Sequence, residues 1–322
     1  MEAAGWQNLK SLIAPPNREI DCCTGKKAGA SGLAFLAGWC FPKNLFFNRN
    51  GSIMRNRRGF TLIELLVVIA IIALLMAILM PALGRVKKQA QSVSCQARLK
   101  QWGLMFKLYT DDHDGYFNNR DVSGGLWMTA LQSYYKDDAK MLLCPTATRL
   151  MQNASDWGTY KAAYLDDYVF SYGINSWTNS VTQDRGARLV EWFWRNVQNN
   201  TTIIPDTRKT EGRPVSTNKI PVFGDSTWYD AWPRHTDEPM PVMDGFGIGD
   251  QGTSGEMNHF CIDRHNGFVN ILFMDWSIRN TGLKELWTLK WHRAYVTSGP
   301  WTKAGGVMPG DWPVWLRNYR DY

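Results

Sequence analysis

Four groups of side chains in this sequence have types and spacings that could do chemistry. A single carboxylate, Glu64, stands in residues 60–80, a stretch of 21 residues whose other side chains carry no charge. In hydrocarbon an ionisable group costs up to about 3 kcal/mol unless it is paired, so Glu64 calls for a cation. His265 and Asp275 lie in Arg-His-Asn-Gly-Phe-Val-Asn-Ile-Leu-Phe-Met-Asp-Trp-Ser, and Asp225, in Phe-Gly-Asp-Ser, is a candidate third member. Together they could act as acid, base or metal ligands; the reading adopted is that His265 caps a hairpin and Asp275 bonds turn amides. Cys95, Cys144 and Cys261 follow the apolar run, but no Cys-x-x-Cys spacing or neighbouring histidine supports a structural zinc. Asp111, Asp112 and Asp114 hint at calcium yet lack the glutamate of an EF-hand loop, and are expected to stop a helix and solvate its end. With no Gly-x-Ser-x-Gly, His-Glu-x-x-His or phosphate-cradling glycine loop, the expectation is a non-enzymatic chain with no catalytic residue, resident metal or cofactor.

The elements that must position these residues begin with the apolar run. At 1.5 Å per residue it is long enough to cross about 30 Å of hydrocarbon. A secretory signal peptide has a shorter apolar region followed by a small-residue cleavage site, whereas Pro-Ala-Leu-Gly here leads into more helix-like sequence. A buried core helix of this length without a polar face is rare, and a plain anchor gives no reason for Glu64.

Residues 60–80 are therefore assigned to the membrane half of a helix and 81–110 to its exposed half, with Pro81 expected to kink it. Val86, Ala90, Val93, Ala97, Met105 and Leu108, with Trp102 one step out of register, suggest the apolar face. The helix should end near Tyr109, where Thr-Asp-Asp-His-Asp-Gly supplies turn formers.

Residues 111–322 form the head. Its best strands, 168–172, 220–223 and 268–273, are short and separated by Gly, Pro, Asn and Asp. The expected fold class is α+β, a long amino-terminal transmembrane helix running into a head with a small antiparallel sheet and a hairpin at 264–280. Loops 199–218 and 233–256 read as surface insertions or an added lobe. Nine tryptophans in polar, loop-like surroundings, among them Trp157, Trp177, Trp192, Trp232 and Trp312, are either sugar-stacking platforms or staples for long loops, and the second is preferred.

The chain's formal charge of +7 would suggest nucleic acid, but it is unevenly placed. Residues 1–58 hold nine Lys/Arg and three Asp/Glu, a net +6, leaving 27 against 26 from Phe60 onward. No nucleic-acid partner is expected for that remainder. Residues 1–53 show no sustained periodicity and are set aside as long leader or upstream sequence. Initiation at Met54, giving Met-Arg-Asn-Arg-Arg-Gly-Phe, is favoured over Met1, with 1–59 as leader. Basic residues flank both ends of the run, Arg55, Arg57 and Arg58 against Arg85, Lys87 and Lys88, so charge alone does not orient the helix.

The stretch GFTLIELLVVIAIIALL behind Arg57-Arg58 resembles the class III signal of type IV pilins and the pseudopilins of type II secretion. The resemblance implies cleavage between Gly59 and Phe60 by a membrane prepilin peptidase, N-methylation of Phe60, and neutralisation of a Phe60 amine by Glu64 as subunits pack. It also implies an amino end in the cytoplasm, a periplasmic head, and the inner membrane and other pilin or pseudopilin subunits as partners. Residues 264–277 resemble the "H-x9-DG" element of pilin-like proteins; His265 and Asp275 keep its spacing, but Trp276 replaces the glycine, so a wider turn or bulge is expected. Pseudopilin-like proteins also often carry a cysteine pair at positions like Cys95 and Cys144, which implies a disulfide in an oxidising compartment; two buried thiols are the alternative. The function expected is a structural subunit of a type II secretion pseudopilus or type IV pilus-like filament. The alternative is a membrane-tethered ectodomain that binds or hydrolyses polysaccharide.

Overall fold

The computed structural model describes residues 61–118, 126–136, 138–153, 156–179, 194, 216–243 and 255–322. The leader with Gly59, Phe60 and Met54, loop residues 199–215 and 244–254, and Trp192 lie outside the described residues. The chain divides at Ala82 and Leu83 into two compact units, which are taken in turn.

The first described element, α1 (Leu62–Asp112), is one helix of 51 residues. Up to Ala82 it is nearly all Leu, Ile, Val, Ala and Met, and none of these side chains is buried; Leu62 is 81% exposed and Ile78 68%. An apolar surface this large and continuous needs a non-aqueous neighbour. The helix is long and apolar enough to cross a membrane. Pro81 lies inside it without ending it: its ring removes one backbone donor, and the chain continues helical on both sides.

In the second unit the rest of α1 packs by one narrow stripe. Its buried residues are Cys95, Leu99, Trp102, Gly103, Phe106 and Thr110, at spacings of three and four with one adjacent pair. The face expected from sequence is corrected here. Val86, Val93 and Leu108 are exposed, whereas Trp102 is fully buried and on register. The true stripe was hidden because it mixes large apolar residues with a cysteine, a glycine and a threonine.

Two sheets receive this stripe and the remaining chain. The larger has five strands in the order β6 (Asp230–Ala231), β4 (Tyr172–Asn175), β5 (Pro221–Asp225), β7 (Phe268–Phe273) and β8 (Ile278–Gly282). Its pairs are antiparallel except β4 with β6, which is parallel. The smaller runs β1 (Arg149–Leu150), β2 (Lys161–Leu165) and β3 (Tyr168–Phe170), parallel then antiparallel. The fold is thus α+β as expected, but its sheets are mixed and not purely antiparallel. The parallel edge arises because the chain leaves β5 and crosses β4 before pairing beyond it. Gly173 permits that crossing, since a Cβ there would stand 2.4 Å from the Trp228 carbonyl oxygen.

Helix α1 meets the large sheet through an aromatic cluster. Trp102 lies edge-on to Trp127 at 5.1 Å and 5.6 Å from Phe223, which is itself 5.2 Å from Phe106 and 4.8 Å from Trp127. Fully burying rings of this size stabilises by roughly 1.5–3 kcal/mol each. Gly103 sets the closeness of approach: a Cβ there would lie 2.9 Å from Leu272 Cδ1 on β7. The helix ends as expected in a tight turn, with the His113 and Gly115 amides both donating to Thr110 O.

Five of the loop tryptophans belong to the core, and Trp228, Trp301 and Trp315 pack against it half-buried. Trp157, Trp177, Trp194, Trp232 and Trp312 are all buried. Among the described residues, indoles donate to main-chain carbonyls at 2.7–3.0 Å, among them Trp102 to Met141, Trp127 to Tyr229, Trp177 to Pro233, Trp194 to Trp291, Trp287 to Asp237, Trp291 to Leu286 and Trp315 to Met240.

Candidate functional site

Two places bring the chemically capable residues together, one in each unit. The first is the start of α1. Thr61 Oγ1 accepts from the Glu64 amide at 3.2 Å, while a Glu64 carboxylate oxygen accepts from the Thr61 amide at 2.8 Å and from Thr61 Oγ1 at 2.9 Å. This is a reciprocal capping box, Thr-x-x-Glu, in which orphan amide donors at a helix start are satisfied by side chains. Sequence reasoning missed Thr61, although the Thr-x-x-Glu spacing ahead of an apolar run is a legible signal. The box turns the Glu64 carboxylate back toward the amino end of the helix, against the amide next in sequence to Phe60.

The second place is a buried polar centre between α1 and the sheet. Four donor atoms from four separate segments lie within 4.8 Å of one another: Cys95 Sγ, Cys144 Sγ, an Asp225 oxygen and a His265 ring nitrogen, all on buried residues. Cys95 comes from the inward stripe of α1, and Cys144 follows the 3₁₀ turn Ala139–Leu142, its amide donating to Ser171 Oγ at 2.6 Å. Asp225 ends β5, and its side chain accepts from the Asn270 amide on neighbouring β7 at 2.9 Å. His265 is held by the turn before β7, where Asn266 and Gly267 stand at φ 59° and 91° and the His265 amide donates to Phe268 O at 3.1 Å.

Within the centre, His265 Nε2 is 3.0 Å from Asp225 Oδ2 and 3.5 Å from Cys144 Sγ. Cys95 Sγ is 3.5 Å from Asp225 Oδ1. Tyr172 Oη donates to Cys95 Sγ at 3.3 Å, and Thr146 Oγ1 lies 3.0 Å from Cys144 Sγ. Beside them Arg264, also buried, donates from Nη1 to Ser171 O at 2.5 Å and to Asp225 Oδ1 at 3.5 Å.

These neighbours pull the titrations apart. Burial raises the Asp225 carboxyl, but His265 and Arg264 outweigh it and hold it down at about 2. Burial lowers His265, but Asp225 outweighs it and raises the imidazole to about 10. Burial pushes the Cys95 thiol up, while hydrogen bonds from Cys95 and His265 overcome burial at Cys144 and bring it down to about 6.

Several sequence expectations are corrected here. His265 does not cap the hairpin with Asp275; its side chain faces Asp225 and Cys144, which sets a histidine beside the cysteines that lack one in sequence. Cys95 and Cys144, the pair for which the resemblance implied a disulfide, are brought together, their Sγ atoms within 4.8 Å of each other. Cys261 is a third buried thiol outside the cluster, raised by burial.

Asp275 takes the turn role. Its Oδ1 accepts from the Ser277 amide at 3.0 Å and from Ser277 Oγ at 2.6 Å. Trp276, at φ 63°, donates its amide to Phe273 O at 2.8 Å. That left-handed residue closes a loop wider than a two-residue hairpin. The three helix-end aspartates do not converge: Asp111 pairs with Lys107 and Asp112 accepts from Tyr134 Oη at 2.6 Å.

The prokaryotic N-terminal methylation motif matches residues 54–80. Over 67 residues the chain is 45% identical to the type IV wide pilus major component PilA4 of Thermus thermophilus, covering 21% of this chain and 51% of that protein. Over 65 residues it is 35% identical to the ComG operon protein 3 homolog of Bacillus licheniformis, covering 20% of this chain and 67% of that protein. The chain thus spans about half the length of the first relative and two thirds of the second. No solved structure matches. A membrane-length apolar helix opening on a Thr-x-x-Glu box and running into an α+β head defines the class, and the chain belongs to the type IV pilin-like proteins.

Proposed function

We propose that the chain is a structural subunit of a type II secretion pseudopilus or type IV pilus-like filament, cut by a prepilin peptidase between Gly59 and Phe60 and N-methylated on Phe60. The observation that carries this reading is the first unit of α1, where every apolar side chain up to Ala82 is exposed and the only carboxylate is turned toward the amino end. The named relatives, a pilus component and a ComG operon protein homolog, support it. In this reading the helix starts in the inner membrane with its amino end cytoplasmic and its head periplasmic, then packs against the helices of other subunits. Glu64 neutralises the Phe60 amine of its own or a neighbouring chain. Such a pair fixes the axial register, because a stranded carboxylate in an apolar setting is costly. Burial of Trp157, Trp177, Trp194, Trp232 and Trp312 withdraws these five rings from any stacking surface on which a polysaccharide-binding head would rest. The test is mass spectrometry of the mature amino terminus in hosts with and without the peptidase. A methylated Phe60 that depends on the peptidase is the expected result; a terminus upstream of Gly59 in both hosts overturns the proposal.

A further inference from the structure

Cys95, Cys144, Asp225 and His265 are separated by 49, 81 and 40 positions in sequence, yet the fold aims one donor atom of each at a common point inside the head. We propose that this centre is a structural zinc site with a Cys₂-Asp-His ligand set that fastens α1 to the sheet.

The distances suit that ion. Zinc bonds of about 2.3 Å to sulfur and about 2.0–2.1 Å to nitrogen or oxygen, arranged tetrahedrally, put neighbouring donors about 3.3–3.8 Å apart. Around this centre Asp225 Oδ2 lies 3.7 Å from Cys95 Sγ and 3.0 Å from His265 Nε2, and Cys144 Sγ lies 3.5 Å from His265 Nε2. All four donors lie within 4.8 Å of one another, so closing on the ion draws the widest pairs in by about 1 Å or less. Two thiolates with one imidazole and one carboxylate favour zinc over magnesium or calcium, which prefer all-oxygen shells.

The surroundings supply what a closed site needs. Tyr172 Oη and Thr146 Oγ1 stand at the two sulfurs, and the Asn270 amide bonds the carboxylate at 2.9 Å. Such outer contacts orient ligands and tune the metal. Charge also balances: two thiolates and a carboxylate carry three negative charges, the ion two positive, and the adjacent Arg264 guanidinium one more. On binding, the thiols and the imidazole Nε2 release their protons to solvent and the donor pairs pass to the metal. All four ligand residues are buried, so the site is structural and leaves no open position for substrate.

The experiment uses the full chain in detergent, purified without chelator. About one zinc per chain by elemental analysis is expected, with cobalt exchange giving intense four-coordinate ligand-field bands and sulfur-to-cobalt charge transfer. Cys95→Ser, Cys144→Ser and His265→Ala should each lose the metal and the charge-transfer signal or reduce them at least tenfold, while Cys261→Ser keeps both. If the ligand variants fail to fold, the wild-type chain still decides: chelation should release zinc and, at the same rate, make two thiols reactive. A metal-free chain that takes up neither zinc nor cobalt overturns the proposal. So does a Cys95–Cys144 disulfide in the purified protein, or metal retained in Cys95→Ser.

Discussion

Replacing Arg264 by methionine should be among the most damaging single changes in the head. The guanidinium is 2% exposed and serves five acceptors: Nε donates to Thr159 O at 2.8 Å, Nη1 to Ser171 O at 2.5 Å and Asp225 Oδ1 at 3.5 Å, and Nη2 to Ser226 O at 3.2 Å and Lys161 O at 3.4 Å. Methionine retains the apolar stem and removes every donor. Each orphaned buried acceptor costs about 1–3 kcal/mol, but these costs do not simply add, because a relaxed site readmits water. Breaking a buried ion pair from one side costs about 3–5 kcal/mol. His265, at 3.0 Å from Asp225, keeps part of the carboxylate's compensation. The expected loss is therefore about 3–5 kcal/mol, a large part of the roughly 5–15 kcal/mol that holds an ordinary domain folded. Arg264→Lys, with three donors and no planar fork, should recover about half of it. Urea titration of the full chain in detergent, followed by tryptophan emission, measures both variants against wild type. An Arg264→Met chain within about 1 kcal/mol of wild type would refute the assignment of this guanidinium as the organiser of the polar centre.

Other expectations are as direct. Glu64→Ala should leave the chain in the membrane yet lower its recovery in sheared filaments by roughly tenfold or more, read by immunoblot against a cleavage control. Burial depresses His259 from its ordinary value to about 3, so acidification protonates the unfolded chain first. Its contribution is fully present above about pH 6.5 and is lost as pH falls toward 3; His259→Asn should flatten that part of a stability-versus-pH curve. Lys136, exposed at φ 50° and ψ 43°, closes a four-residue helix in the left-handed region. Lys136→Gly should raise stability by roughly 0.5–1 kcal/mol in the same urea assay.

Much of the architecture was legible because local chemistry dictates it. The apolar run, the stop after Tyr109 and the strand at 268–273 each follow from residues adjacent in sequence. Replacement of the hairpin glycine by Trp276 correctly signalled a wider turn. The inward face of α1 was not legible by apolar spacing, since half of its buried positions, Cys95, Gly103 and Thr110, are small or polar and are selected by the sheet they meet. The polar centre left no local trace, because its members come from four distant segments and only the strand order brings them together. In sequence Asp225 and His265 group with Asp275, which the turn captures, and not with the cysteines.

The indole-to-carbonyl bonds of the head have a consequence for how it is made. Trp127 donates to the Tyr229 carbonyl, Trp194 to the Trp291 carbonyl and Trp315 back to the Met240 carbonyl, so these bonds join positions 102, 97 and 75 residues apart. Contacts of such long range delay folding, because chain closure must precede the gain. A nascent head therefore completes these bonds only once the later partner of each, Tyr229, Trp291 and Trp315, has been delivered.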